Sequence, residues 1–176
     1  GARAEPFELP WPTLAEFPSF GLVRKRADFD ELLAHRAVAK GATLYEQAHV
    51  AGTVIDERTE RVTGVTTKDG RTFTAPIVVA ADGNSSPVAK AMGLAKNAGR
   101  PMGVACRTYF TSPRHDDQWM ESWLQLWDGK PGESNLLPGY GWIFGMGDGT
   151  CNVGLGTVAS SAKSQKLNFR ELLHTW

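Results

Sequence analysis

Cysteine is scarce in this chain, which has two in 176 residues. Cys106 and Cys151 lie far apart, with neither a CxxC pair nor a Cys/His ligand spacing. That pattern argues against a disulfide scaffold and fits a reduced, cytosolic protein. The four histidines (His35, His49, His115 and His174) are scattered, so no metal site is expected. Charge of one sign is not in excess either, with 19 Lys plus Arg against 19 Asp plus Glu. A polyanion-binding footprint is therefore missing, and nucleic acid is not expected as a partner. No apolar run approaches the roughly 18–20 residues that span a bilayer, and the start carries no signal-peptide pattern. GxSxG is absent, so no serine-nucleophile elbow is indicated. A complete GxGxxG is missing as well: Gly145-x-Gly147-x-Gly149 lacks a following helix and reads as a hairpin turn.

What is present is ordinary globular material, 41% apolar and 22% charged, enough for one domain or two small lobes with a real core. Six Trp and eight Phe add many apolar handles. The chain opens at Gly1 without an initiator Met and stops at Trp176 inside a helix predicted from about Leu167, so an internal piece of a longer protein is expected.

The first twenty residues are rich in Pro and aromatics, which predicts an extended or edge segment. Asp28 is expected to cap a helix carrying Phe29, Leu32, Leu33, Ala37 and Val38 at 3–4 spacing, with Gly41 as its stop. His49–Asp56 and Arg61–Lys68 read as strands. Asp69-Gly70 reads as a type I′ turn into a strand over Arg71–Thr74. Ile77–Ala81 is short and wholly apolar, as expected of a strand buried on both faces. It ends at Asp82-Gly83, after which Ser85 or Ser86 caps a helix through Gly93 with Pro87 in its first turn. Beyond Gly99, strands with aromatic faces are predicted over Gly103–Thr111, Trp119–Trp127, Gly141–Met146 and Thr150–Val158. Helix, hairpin and buried strand in the first half, then an antiparallel sheet, predict an α/β fold of mixed α+β architecture.

Three features could carry chemistry. At the polar end of Ile77–Ser86, Gly83 permits close approach of a diphosphate and Asp82 can accept from a ribose hydroxyl. The same residues also suit a plain strand-to-helix turn with ordinary capping. Arg24, Lys25 and Arg26 precede a helix whose dipole they oppose, so an anionic partner would account for them; alone they read as a solvated charge run. In Pro138–Gly156, Tyr140, Trp142 and Phe144 alternate on one strand face. Gly139, Gly141, Gly145, Gly154 and Gly156 are expected to leave the other face bare for a planar cofactor or a flat lipid chain. The alternative is aromatic core packing beside a bulged strand. Cys106 reads as a core thiol rather than a nucleophile.

Taken in order, these segments resemble the geranylgeranyl reductase family of flavoproteins, which share the fold of p-hydroxybenzoate hydroxylase. The resemblance rests on Arg26-x-x-Phe29-Asp30-x-x-Leu33 with Gly41-Ala42, on Val78–Ser86 (VVAADGNSS), on Arg107-x-Tyr109-Phe110, and on Tyr140–Phe144 (GYGWIF with Gly139) followed by Asn152–Gly156 (NVGLG). Within the family, LPGYGWIFGMGDGTCNVGLG and GVACRTYF are similar to the bacterial menaquinone reductases. One departure is Gly145, where the family usually has Pro at the strand end facing the isoalloxazine.

The resemblance implies part of a Rossmann-like FAD-binding domain (25–97), flanked by an edge segment (1–24) and an antiparallel substrate-domain sheet with the start of a helix (98–176). It implies FAD as cofactor, with Arg26 on its phosphate or ribose side and Asp82 and Gly83 near its diphosphate. The implied reaction saturates C=C bonds of a polyprenyl chain, a menaquinone tail or a geranylgeranyl group. Tyr140, Trp142 and Phe144 would line the prenyl tunnel, and Tyr140 is by its chemistry the candidate proton donor. A prenyl lipid or quinone substrate implies peripheral contact at the inner face of the membrane, and the electron donor is not specified. By the same resemblance further FAD-binding segments precede Gly1 and follow Trp176, so the chain alone is expected to bind flavin poorly and to be inactive. Two other readings share the scaffold or the aromatic sheet: a flavin monooxygenase or halogenase, and a non-catalytic prenyl-lipid-binding module.

Overall fold

A computed structural model describes residues 6–94, 99–158 and 167–176. The chain divides into two compact units, Gly1–Leu32 with Arg100–Trp176, and Leu33–Gly99. Helix α1 (Arg26–Ala39) runs across the division. Its first intrahelical bond runs from Phe29 N–H to Lys25 C=O at 3.0 Å. Lys25 is therefore the residue before the first turn. Asp28 lies inside that turn, where its charge complements the helix dipole, rather than at the cap expected for it. The stop is as expected. Gly41 has φ +99°, Gly41 N–H bonds Val38 C=O at 2.9 Å, and Ala42 N–H bonds Ala37 C=O at 3.1 Å. That pair of bonds closes the helix through a left-handed residue, where glycine has no Cβ to strain.

The unit Leu33–Gly99 holds a three-stranded antiparallel sheet, β1 (Val50–Asp56), β2 (Arg61–Thr67) and β3 (Thr72–Thr74), in sequence order. Short helix α2 (Pro87–Ala91) lies against β1. The turn between β2 and β3 differs from type I′, which needs positive φ at both central residues. Only Gly70 is left-handed here, at φ +85°. Gly70 N–H reaches Thr67 C=O at 3.0 Å and Thr67 N–H reaches Arg71 C=O at 2.9 Å, a three-residue loop. Asp69 stabilises it, bonding Arg71 Nε at 2.9 Å and the Thr67 hydroxyl, and those bonds hold its carboxyl well below the usual range.

Residues 77–81 correct the sequence reading. They form no strand, and Ile77 and Val79 are 76% and 81% exposed. A strand buried on both faces needs ladder partners on both edges and cover above and below. The three-stranded sheet supplies neither to this segment, so its apolar run stays extended and open.

The other unit contains a four-stranded antiparallel sheet in the order β4 (Gly103–Thr111), β9 (Thr150–Val158), β8 (Gly139–Gly145) and β5 (Met120–Trp123). The strand expected over Trp119–Trp127 is split. Its first part pairs with β8, while β6 (Leu126–Trp127) turns off to pair with β7 (Leu136–Leu137) in a separate ribbon. That turn delivers Leu126, fully buried, to a core with Leu137, Leu155, Leu172 and Leu173. Cys106 and Val153 pack against this cluster, in keeping with a core thiol. Helix α3 (Phe169–Thr175) supplies Leu172 and Leu173. Its N-cap is Asn168, whose side chain accepts from Arg170 N–H at 3.2 Å and Glu171 N–H at 3.4 Å. The core thus fills one face of the four-stranded sheet, between the strands, the ribbon and α3. Among the described residues no helix is long and apolar enough to cross a membrane.

Candidate functional site

The two faces of the four-stranded sheet follow from its register, because side chains alternate along each strand. Leu155, Gly141 and Cys106 stand in one row, and this is the core face. On the opposite face the cross-strand rows run Tyr140–Gly156–Ala105, Trp142–Gly154–Arg107 and Phe144–Asn152–Tyr109, with the β9 residue paired to both neighbours in each row. Tyr140, Trp142 and Phe144 do share a face, as the alternation predicts, with ring centroids 5.8 Å and 6.4 Å apart.

The glycines are divided between the faces, which corrects the expected bare glycine side. A Cβ at Gly141 would come within 2.5 Å of the Trp176 indole, so the chain's own Trp176 fills that space. A Cβ at Gly145 would lie 2.7 Å from the His115 carbonyl oxygen and 2.9 Å from that of Asp117. Backbone carbonyls cannot swing away, so glycine at 145 lets the loop before β5 dock on the sheet. Gly154 and Gly156 belong instead to the aromatic face. A Cβ at Gly154 would fall 2.2 Å from the Trp142 ring, so the indole lies flat over that glycine. Trp142 Nε1–H donates to the Asn152 carbonyl oxygen (Oδ1) at 3.2 Å, which fixes the ring's direction.

One row along, Gly156 forms the floor of an open groove of about 310 Å³ walled by Ala105, Tyr140, Trp142, Pro138 and Val158. Its volume is near the lower end of small-molecule sites, roughly 300–1,000 Å³. The lining is mainly apolar, with Thr157 among it, and Tyr140 is 50% exposed at its rim. Sequence reasoning did not find Ala105, and it placed Gly156 on the face opposite the aromatic rings. Only the β4–β9–β8 register brings them together.

The far end of the face is occupied by the segment leading into α1. A Cβ at Gly21 would meet the Met120 sulfur and the Trp11 ring, so this stretch touches the β5 margin. At the β4 margin, Lys25 pairs with Asp148 of the β8–β9 turn, and its Nζ stands 5.5 Å from the Tyr109 ring centroid. The hydrogen bond from Lys25, then that from Thr150, holds the Asp148 carboxyl down at about 2, while Asp148 raises Lys25 above its ordinary value. Arg107 approaches the same Tyr109 ring at 5.1 Å.

The remaining predicted residues are placed as follows. Arg26 is exposed and donates through Nε and Nη2 to both Asp30 oxygens, each at 3.0 Å. Asp82 accepts from Val88 N–H at 3.1 Å, and bonds from Ser86 and then Val88 lower its pKa. It therefore serves as a brace for α2, together with Ser86, whose hydroxyl accepts from Ala89 N–H at 2.9 Å. Gly83 has φ +80° and open space where a Cβ would stand. Arg26 belongs to one unit, Asp82 and Gly83 to the other. Among the described residues no group of His, Cys, Asp and Glu could hold a metal ion.

The profile of a family described as FAD dependent oxidoreductase matches residues 3–167. Menaquinone reductase of Mycobacterium tuberculosis is 32% identical over 166 residues, 94% of this chain and 40% of that protein. Digeranylgeranylglycerophospholipid reductase 2 of Methanopyrus kandleri is 33% identical over 152 residues, 84% of this chain and 36% of that protein. The chain thus spans about two-fifths of the length of these relatives. A solved structure of a P. aeruginosa PqsL mutant matches with a TM-score of 0.50 and 17% identity, over 77% of this chain and 34% of that one. That likeness concerns the fold alone.

Two outcomes are expected from this geometry. The Asp148 pKa is depressed, so its contribution to stability is complete above about pH 4 and fades as pH falls towards the folded value. The Lys25 pKa is raised, so its contribution holds below the ordinary lysine value and fades as pH rises through the raised one. Thermal unfolding of Asp148→Asn across both ranges should show a flatter pH dependence at each end than the parent. Secondly, Gly154→Ala should cost about 1–3 kcal/mol through overpacking against the indole. In a Trp142→Ala background the same change should cost less, the remainder coming from Arg107 Cβ at 2.8 Å, and urea unfolding of the double-mutant cycle measures the indole's share.

Proposed function

The chain belongs to the FAD dependent oxidoreductase family, and from that premise we propose that it is the substrate-binding and partial flavin-binding portion of a reductase that saturates C=C bonds in a polyprenyl chain. The observation that carries this reading is the apolar groove over Gly156, walled by Tyr140 and Trp142 and built on a sheet face from which two glycines withhold their side chains. An isoprenoid is a narrow, methyl-studded chain without polar groups, and such a groove offers it dispersion contacts while presenting few polar groups to desolvate. The names of the menaquinone and digeranylgeranylglycerophospholipid reductases support the same substrate class.

Residues 25–97 are assigned to the flavin side, and 1–24 with 98–176 to the substrate side. Tyr140 and Trp142 hold the chain, and Phe144, stacked on Trp142, keeps the indole in place. Together they shield one side of the double bond from water. Gly83, with open space above it, would let a flavin diphosphate approach; Asp82 would stand beside the ribose and Arg26 would face phosphate. FAD, when bound and first reduced by an external electron donor, would supply the hydride. The second carbon must then take a proton, and Tyr140 at the groove rim is the candidate to deliver it. Arg26 and Asp82 already hold internal partners, which contact with a flavin would have to replace. The chain alone is accordingly proposed to bind FAD weakly and to be inactive. A prenyl-lipid substrate also implies peripheral contact with a membrane.

The test uses the intact protein with FAD and a chemical reductant, incubated with menaquinone and separately with a geranylgeranyl lipid. Product mass is then followed. A gain of two hydrogens in the prenyl tail of menaquinone is expected, read by fragment mass after the quinone head has been reoxidised. If the flavin is bound and reducible yet neither lipid gains hydrogen, the reductase reading fails and an oxygen-dependent monooxygenase takes its place.

A further inference from the structure

The groove accounts for an apolar chain but not for the polar end that such a lipid carries. Next to it stands Arg107, one row along the same face of β4 from Ala105. Alternate residues of a strand are roughly 7 Å apart, so the end of a chain lying over Gly156 stands one row from Arg107, which lies on the β4 side of the Trp142 indole that walls the groove. Arg107 and Trp142 flank Gly154 from opposite sides, since a Cβ built there would lie 2.8 Å from Arg107 Cβ and 2.2 Å from the indole.

The electrostatic setting of Arg107 differs from that of its neighbours. Lys25 is neutralised by Asp148, Arg26 by Asp30, and Arg114 by Asp117 and Glu121. Arg107 takes part in none of the ion pairs found among the described residues. Its guanidinium rests against the Tyr109 ring, 5.1 Å from the centroid. A cation–π contact orients the planar group without using its hydrogen-bond donors. The result is an exposed, oriented guanidinium outside those ion pairs, beside the Trp142 wall of an apolar groove.

We propose that Arg107 anchors the polar head of the isoprenoid by donating to a head-group oxygen while the chain occupies the groove over Gly156. The inference rests on the prenyl reading above and extends it to a residue outside the predicted site. A quinone carbonyl and a lipid phosphate both offer the required acceptor oxygen, and the phosphate adds charge.

The experiment is equilibrium binding of labelled ligands to the intact, FAD-loaded protein in detergent, comparing the parent with Arg107→Gln. Three probes are used: menaquinone, geranylgeranyl phosphate, and a geranylgeranyl hydrocarbon without a head. Loss of hydrogen bonds to a charged group should weaken a headed ligand about 10–100-fold and leave the hydrocarbon unchanged. Selective loss for menaquinone marks a carbonyl as the anchored oxygen, selective loss for the phosphate marks an oxyanion, and loss for both marks the shared chemistry. Equal loss for all three probes would reduce Arg107 to a structural partner of Tyr109, and no loss for either headed ligand would equally overturn the proposal. If the parent binds none of the probes, the prenyl reading itself fails and this inference falls with it.

Discussion

The contact on which the candidate site depends is the indole of Trp142 lying over Gly154. It requires three things at once: register that sets 142 opposite 154, a residue without Cβ at 154, and an acceptor at Asn152 to fix the ring. Trp142 is then a wall rather than a lid, and Gly156 in the next row stays open as a floor. A side chain at 154 would push the indole outward, and a large one at 156 would fill the groove. The opposite sheet face shows the contrast. There Gly141 and Gly145 are covered by Trp176 and by the backbone of the His115–Asp117 loop, so those glycines serve packing. One motif thus performs two tasks, and the pleat decides which glycine takes which.

Charge is arranged around this face with the same economy. Lys25 and Asp148 tie the segment before α1 to the β8–β9 turn at one margin. Tyr109 receives two cations, of which Lys25 is ion-paired and Arg107 lies outside the ion pairs found among the described residues. Such a guanidinium beside an apolar groove matches an amphipathic ligand better than a wholly apolar one. Family membership shows an FAD-dependent oxidoreductase; that the chain's own residues seat such a ligand is the proposal.

Much of the antiparallel sheet was legible because alternation of aromatics with small residues, bounded by Gly147-Asp148-Gly149, leaves little freedom in strand placement. Thr150–Val158 and Gly103–Thr111 form as the sequence predicts. The shared face of Tyr140, Trp142 and Phe144 follows from the same periodicity. The sides of the glycines were not legible, because the face that Gly154 and Gly156 join depends on pairing with β8, which no single strand encodes. Ala105 and Arg107 were missed as site neighbours for the same reason. Ile77–Ala81 was misread because an apolar run reports what a segment could bury, whereas burial depends on which strands and helices lie beside it. Asp28 was misassigned as the cap by three positions, and Asp69-Gly70 as a two-residue rather than a three-residue turn, within correctly located elements.

The central claim is that the aromatic face over Gly156 seats a prenyl chain. Photolabelling tests it most directly, using a geranylgeranyl probe that carries a diazirine along its chain, with the intact protein and peptide mapping by mass spectrometry. The account predicts adducts on β4, β8 and β9 at Ala105, Tyr140, Trp142 and the residues beside them, suppressed by excess unlabelled prenyl lipid. Saturable labelling confined to other segments, with these strands unmodified, would contradict it.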